Sequence, residues 1–487
     1  MKIKPDKYIF LLCVIFVAGL AMRLYQLSFF EFKNDQLAAI SLGNEARQAY
    51  FLITHGMPSG VGINNPQFFI QIMGVLSWFT SDPFLLTSFF CLINLAALGL
   101  AMGYFYHFLE PAHAVIAAVF LALFPAYVIY SNNIWAQCLL PLPMTFFHIC
   151  LCRFIKYNKG RDFFLACVFA VLACGLHMSA FFILPALAIV LWVYRKVIDK
   201  RVLLAAAAAA FCLFMPYLIH LFLEGELSRF VSYAVSSERD FPWKAIVMHL
   251  RMSSFDFFRS YFRHDFNAVL REAAGYASWV LYALALIPAG LFIAGFLSYL
   301  TWLIKGRRLF NIDCDKDRSM PIPMQVSGFL VLTLTAGFML CRVRTPAHYF
   351  IVLFPAHAVI ASFAAFRLWQ KAWGRALALT GIISTVVLFM FTLFFLQRAG
   401  GHYYAYGISY KRMLEWRQSI ASAAPRGCYL DLNIRFIGKG KDDRQTAYAM
   451  LSADTASRRL KRPVAADLDI YWSDSLMRYE YTLKVNQ

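Results

Sequence analysis

Eleven apolar runs, most of them long enough to cross a bilayer as helices, constrain this chain more than any other feature. They fall at 8–27, 84–107, 113–130, 135–155, 163–176, 180–194, 202–223, 276–304, 326–341, 349–366 and 376–397. A hydrocarbon core about 30 Å thick takes roughly 20 helical residues to cross. Backbone inside it finds no water to bond, so each crossing must satisfy its own hydrogen bonds. With 60% hydrophobic and only 15% charged residues, the 487-residue chain carries more apolar surface than one soluble core can hide. The N-terminal MKIKPDK before the first run resembles a signal peptide. No small-residue cleavage site follows it, so 8–27 is expected to stay as a span.

Net charge separates the two sides of the membrane. An excess of 19 positive charges would point to nucleic acid in a soluble chain. Here no nucleic-acid partner is expected, because threading the runs from a cytoplasmic N-terminus collects the basic residues in alternate loops. Arg153, Lys156, Lys159 and Arg161 share one such loop and Arg195, Lys196, Lys200 and Arg201 the next. Lys305, Arg307 and Arg308, then Arg367, Lys371 and Arg375, land on the same side. The opposite turns around Asn132 and His177 have no Lys or Arg, as the positive-inside rule requires. An odd number of spans leaves the C-terminus outside.

Most of the eleven cysteines lie in or beside apolar runs, where they act as small hydrophobes. There is no CxxC pair, so no metal and no redox centre is indicated. The expected fold class is an all-α polytopic membrane domain of eleven transmembrane helices, residues 1–397, with a small C-terminal extracytoplasmic α/β domain, residues 398–487. Two long outer loops belong to the first domain. The loop 28–83 holds Asp35, a helix-like stretch at 37–55 and an amphipathic run at 66–80, too short to span and read as interfacial or re-entrant. The loop 224–275 is rich in arginine: Arg229, Arg239, Arg251, Arg259, Arg263 and Arg271. Beyond the last span, 410–424 reads as a helix, and 428–434, 467–472 and 478–485 alternate as strands do.

The outer ends of the spans present Asp35, Asn64, Asn65, Asn132, Asn133, Gln137, His177, Arg342, Arg344 and His348. A carboxylate, several amides and two arginines on one face have the chemistry to activate a hydroxyl and to hold an anion. Asp35 is the candidate catalytic base, and equally a favoured cap for the helix that follows it. His177, in GLHMSA, reads as a hydrogen-bonder at a tight turn or as a participant. Asn132, Asn133 and Gln137 line the cavity or cap a short hairpin. Arg342 and Arg344 run against the positive-inside bias and so point to an anionic partner, a phosphate. Arg23, one turn from the end of the first run, is expected to snorkel to the interface.

Several stretches, in order, make the chain resemble the GT-C glycosyltransferases, in particular bacterial relatives of protein O-mannosyltransferases and of the lipid A aminoarabinose transferase. They are Arg23-Leu24 ahead of a first-loop acid, GINNPQFF at 62–69, YSNNIWAQCLLP at 130–141, GLHMSAFFILP at 175–185 and RTPAHYFIVLFPA at 344–356. The resemblance covers 8–397. It implies an inverting transfer of a sugar from a polyprenyl-phosphate donor to a lipid, glycan or protein acceptor, at the outer face of a bacterial cytoplasmic membrane. Asp35 then occupies the position of the active-site acid, and Arg342, Arg344 and His348 hold the donor phosphate. Asn64, Asn65, Asn132, Asn133, Gln137, His177 and Tyr349 line the substrate cavity. Where relatives carry a second acid after the first, this chain has Gln36, which weakens the case for a divalent cation; no cofactor is expected. The other readings are a flippase or transporter of lipid-linked saccharide, which would need ionisable groups inside the spans, where this sequence has almost none, and a polymerase or ligase of surface polysaccharide using the arginines of 224–275.

Overall fold

The computed structural model describes residues 5–25, 27–32, 34–51, 53–59, 63–226, 228–229, 243–254, 275–305, 320–341, 346–399, 401–402, 407–423, 428–437, 462–473 and 478–485. Its helices, in chain order, are α1 (Pro5–Tyr25), α2 (Asn34–Gln48), α3 (Phe68–Leu76), α4 (Pro83–Phe108), α5 (Pro111–Leu123), α6 (Pro125–Tyr130), α7 (Pro141–Tyr157) and α8 (Gly160–Leu176). There follow α9 (Leu184–Tyr194), α10 (Lys200–Leu223), α11 (Lys244–Ser254), α12 (Ala277–Ile304), α13 (Ile322–Cys341), α14 (Ala356–Trp369), α15 (Gly374–Ala399) and α16 (Tyr410–Ser422).

Six of these, α1, α4, α10, α12, α13 and α15, are long and apolar enough to cross a membrane. A seventh crossing exists if the 3-10 segment Ala347–Leu353 and α14 act together across their 73° bend. The expected count of eleven is thus met by fewer full-length helices among the described residues, and proline is much of the reason. The run at 113–130 breaks at Pro125, which starts α6 after the extended Phe124. The run at 135–155 opens as the 3-10 turn Ala136–Leu139 and becomes α-helical only at Pro141. Proline without an N–H is tolerated in a first helical turn and disrupts an interior. Outward, α10 leaves Leu204, Phe222 and Leu223 more than 70% exposed, an arrangement suited to lipid as the solvent.

Inside, small residues let helices approach closely. A Cβ on Gly295 of α12 would run into the backbone carbonyl of Ile360 on α14, a group that cannot swing aside. Gly295→Ala is therefore expected to destabilise the bundle by about 1–3 kcal/mol, seen as a lower thermal midpoint of the purified protein.

Three expectations are corrected by the packing. Arg23 does not snorkel: it is 1% exposed, and its guanidinium donates to the carbonyls of Gly19 and Ala122, both at 3.1 Å. Part of the loop 224–275 is not water-exposed, because α11 buries Ala245, Met248, His249 and Met252 on one face at helical spacing. Its Arg251 is buried as well, and donates to the Met248 sulfur at 3.0 Å. The bundle interior also holds titratable groups, contrary to the reading of nearly uncharged spans. His357 joins Tyr127 Oη and His249 at 3.0 Å each, and His249 reaches Thr335 Oγ1 at 2.6 Å. His148 and His113 are buried against Ser327 and Ser362. Histidine escapes a hydropathy reading because its neutral ring is only mildly polar.

After α15, a short ladder pairs β1 (Gly401–His402) with β2 (Gly407–Ile408). β3 (Cys428–Ile437) lies parallel to β4 (Arg462–Ser473), which pairs antiparallel with β5 (Arg478–Val485). The three strands fall on the alternating stretches, and α16 on the expected helix. Ser409 caps α16, and the Tyr410 N–H donates to the Phe30 carbonyl at 3.0 Å while their rings stack at 4.9 Å. This junction ties the C-terminal segment to the first long loop.

Candidate functional site

Two adjoining polar groups form where the turn at 131–137 meets the residues after α1 and the segment before α14. In the first, Asn133 stands between two side chains. Its Oδ1 accepts from Gln36 Nε2 at 2.7 Å and its Nδ2 donates to Glu31 Oε2 at 3.3 Å. Glu31, Gln36 and Asn133 are all buried. Asn132 next to it serves the scaffold: its Nδ2 donates to the Arg23 carbonyl at 3.0 Å, and Ser131 Oγ donates to its Oδ1 at 2.9 Å.

The second group is built on His177. Nδ1 accepts the Ser179 N–H at 3.1 Å, so the neutral ring carries its proton on Nε2. The Gln137 amide faces Nε2 at 2.8 Å, and its oxygen is the end able to accept that proton. Tyr349 packs on the His177 ring at 4.8 Å, and His348 sits against Trp135 at 5.1 Å and Tyr130 at 6.3 Å. Aromatic faces beside fixed amides make a surface suited to a sugar ring, with its apolar C–H face and its hydroxyls.

The remaining cavity candidates lie in a third place. Asn64 binds Glu226 through both its backbone N–H, 2.9 Å, and its Nδ2, 2.7 Å. The same carboxylate faces His220 Nε2 at 3.4 Å, and the Tyr217 hydroxyl donates to the Asn64 carbonyl at 2.6 Å. His55 stacks on His220 at 4.2 Å; burial, and then the neighbouring His220, hold its ring below the ordinary histidine value. Asn65 braces the loop by donating to Met57 O at 3.1 Å. This cluster fastens the first long loop to α10. Among the described residues no group of three or more His, Cys, Asp or Glu side chains is placed to hold a metal ion.

Asp35 lies in the first turn of α2 and is exposed, one residue from the buried Gln36. Helical geometry turns successive side chains by about 100°, so the two point to different sides. The carboxylate in contact with the buried amides is Glu31. A sequence signal for it existed: an acid inside FFEF is an ionisable group among aromatics, which needs a partner. Trp135, Glu226 and His220 carried no such local signal, since each acquires its neighbours from distant segments. Arg342 and Arg344 lie outside the described residues; in the chain they stand between α13 and His348.

An apolar groove of about 630 Å³ lies among α3, α7 and α8. Leu139 and Leu176, which stand in the chain two residues after Gln137 and one before His177, line it together with Phe68, Leu142, Phe146 and Phe169.

No family model and no curated protein matches this sequence. Solved structures match its fold, among them ArnT from Cupriavidus metallidurans bound to undecaprenyl phosphate, with a TM-score of 0.55, and the same protein in the apo state, with a TM-score of 0.54. Both are 11% identical to this chain, and each alignment covers 95% of this chain and 93% of the other. Over nearly its whole length, this chain shares the helical membrane fold of ArnT, a GT-C lipid A aminoarabinose transferase.

Proposed function

We propose that this protein is a membrane glycosyltransferase that moves a sugar from a polyprenyl-phosphate donor to a lipid, glycan or protein acceptor at the outer face of the cytoplasmic membrane. The observation that carries the reading is the apolar groove whose lining includes Leu139 and Leu176, near neighbours in the chain of the hydrogen-bonded Gln137 and His177. A polyprenyl phosphate has that form, a long hydrocarbon joined to a charged head. The likeness in fold to a protein solved with undecaprenyl phosphate supports the same class of donor.

In this mechanism the acceptor hydroxyl gives its proton to Asp35 as it attacks the anomeric carbon. The bond to the phosphate oxygen breaks, and the lipid phosphate leaves with the electron pair. Attack opposite the leaving group inverts the centre. A phosphate departs without protonation, so Arg342, Arg344 and His348 supply charge stabilisation. Asn133 and Gln137 hold sugar hydroxyls, and Tyr349 with Trp135 packs on the ring. Glu31 is the alternative base, favoured by its hydrogen bond to Asn133.

Membranes with and without the protein, given radiolabelled polyprenyl-phosphate sugar, test the reading. New labelled lipid, glycan or protein is expected; equal labelling in both sinks it. A long polyprenyl donor is expected to have a KM at least about tenfold lower than a one- or two-isoprene donor, since each buried methylene contributes roughly 0.8 kcal/mol. Leu142→Trp, which fills the groove, should narrow that difference and leave turnover at saturating short-chain donor unchanged. The transport reading retains one observation, the buried chain Tyr127–His357–His249–Thr335. Lipid-linked saccharide crossing the bilayer with no new glycosidic bond would favour it.

A further inference from the structure

The 3-10 segment Ala347–Leu353 carries two residues of the second polar group, His348 and Tyr349, followed by one that faces elsewhere. A 3-10 helix turns about 120° per residue, so positions 348, 349 and 350 point in three directions. His348 lies against Trp135, Tyr349 lies against His177, and Phe350 is buried toward α11 and α13. Short 3-10 helices have poor hydrogen-bond geometry and little stability of their own. The rotational setting of this one is therefore fixed by what grips it from outside.

Phe350 is gripped by two rings. Phe338 of α13 stacks on it at 5.3 Å, and His249 of α11 meets it edge to face at 4.8 Å, with the two planes at 90°. His249 belongs to the long outer loop 224–275, whose helix α11 packs on α12, α13, α14 and the segment itself. Phe354, one residue past the segment, meets Tyr127 of α6 edge to face at 4.8 Å.

Hydrogen bonds fix the plane of the His249 ring. Thr335 Oγ1 donates to the Val331 carbonyl at 2.5 Å, so it accepts from His249 Nε2 at 2.6 Å. His249 Nδ1 is then an acceptor and takes the His357 Nε2 proton at 3.0 Å. His357 Nδ1 accepts in turn from the Tyr127 hydroxyl at 3.0 Å. An apolar ring would also pack on Phe350 and would cost less to bury. Imidazole adds orientation, since bonds at two ring nitrogens hold its plane where a phenyl ring could tilt. The same row of bonds joins α6, α11, α13 and α14, so Phe350 and Phe354 rest against one connected set of groups.

We infer that His249 sets the rotation of the 3-10 segment through Phe350, and thereby the placement of Tyr349 against His177. Resting on the transferase reading, this makes His249 a positioning residue for the sugar ring that Tyr349 packs against. The outer loop 224–275 thus takes part in the reaction by holding the site from behind.

His249→Phe keeps a ring against Phe350 and removes both hydrogen bonds. In the full-length protein in detergent, hydrogen–deuterium exchange read by mass spectrometry is expected to rise about fivefold or more across 346–355, with exchange in α4 unchanged. Tyr127→Phe, which removes only the first donor of the row, is expected to give a smaller rise at the same place and serves if His249→Phe does not fold. Sugar transfer is the second readout. His249→Phe should lower it by about tenfold to a hundredfold, the loss that a misplaced group produces. In a Tyr349→Ala background the same substitution should cost less than about threefold, because the group it positions is already gone. Lost stability alone would lower transfer by the same factor in both backgrounds, and that result would overturn the inference. Unchanged exchange across 346–355 in His249→Phe and Tyr127→Phe would overturn it too. Exchange does not depend on catalysis, so an unaltered protein that transfers no sugar would sink the transferase reading and leave exchange to decide whether His249 holds the segment.

Discussion

Asp35→Asn is expected to lower sugar transfer from a polyprenyl-phosphate donor by roughly 10²–10⁴-fold, the range lost when a general base is removed. Donor affinity should be unchanged, because Asn keeps the size and removes only the basicity. The contrasting role, an acid favouring the start of α2, is worth about 0.3–1 kcal/mol at an exposed first turn and leaves activity intact. A thermal midpoint within a few degrees of the parent together with lost turnover separates the two. Near-normal turnover would end the case for Asp35. Glu31→Gln is the control that identifies the carboxylate in charge. It keeps an oxygen able to accept from Asn133 Nδ2, so the Asn133 network stays satisfied. If Glu31→Gln abolishes transfer and Asp35→Asn does not, the base is the buried acid.

The second large effect is expected at the donor phosphate. Arg342→Ala and Arg344→Ala should each weaken donor binding by about tenfold to a hundredfold, the loss of a hydrogen bond to a charged group at roughly 1.5–3 kcal/mol. Since the leaving group gains charge as the bond breaks, kcat should fall as well. Arg344→Lys restores a charge without the planar fork and should recover only part of the loss. Titration with a fluorescent polyprenyl phosphate, read beside turnover, checks both quantities. Unchanged affinity in both alanine variants would remove the phosphate clamp from the mechanism.

The parts of the fold that were legible from the chain are those set by local composition. Hydrophobic runs as long as α4 and α12 cross a membrane whatever surrounds them, because hydrocarbon forces the backbone to bond to itself. Alternation at 428–434 and 478–485 falls on strands for an equally local reason, the two-residue period of side chains. Where proline interrupts, as at Pro125, run length overstates the span, since hydropathy averages over a break that the missing N–H creates. The polar site was legible in part. His177 and Gln137, 40 positions apart, were both marked as outer-end polar groups, and they do meet. Asn64 and Asn65 were marked with them and are used elsewhere, one against Glu226 and the other within its own loop.

By itself the sequence determined that this protein lives in a bilayer, which loops carry its positive charge, and which ends of its helices carry its amides. These follow from transfer of side chains and backbone between water and hydrocarbon, a cost each segment meets on its own. Only the tertiary structure decided which polar groups share a site. Arg23 finds Ala122 across 99 residues, Asn133 finds Glu31 across 102, and His249 finds His357 across 108. A buried donor or acceptor must be paired, yet the requirement names no partner. The partner is chosen by how the helices pack, and that choice placed Glu31 among the buried amides while leaving Asp35 exposed on the first turn of α2.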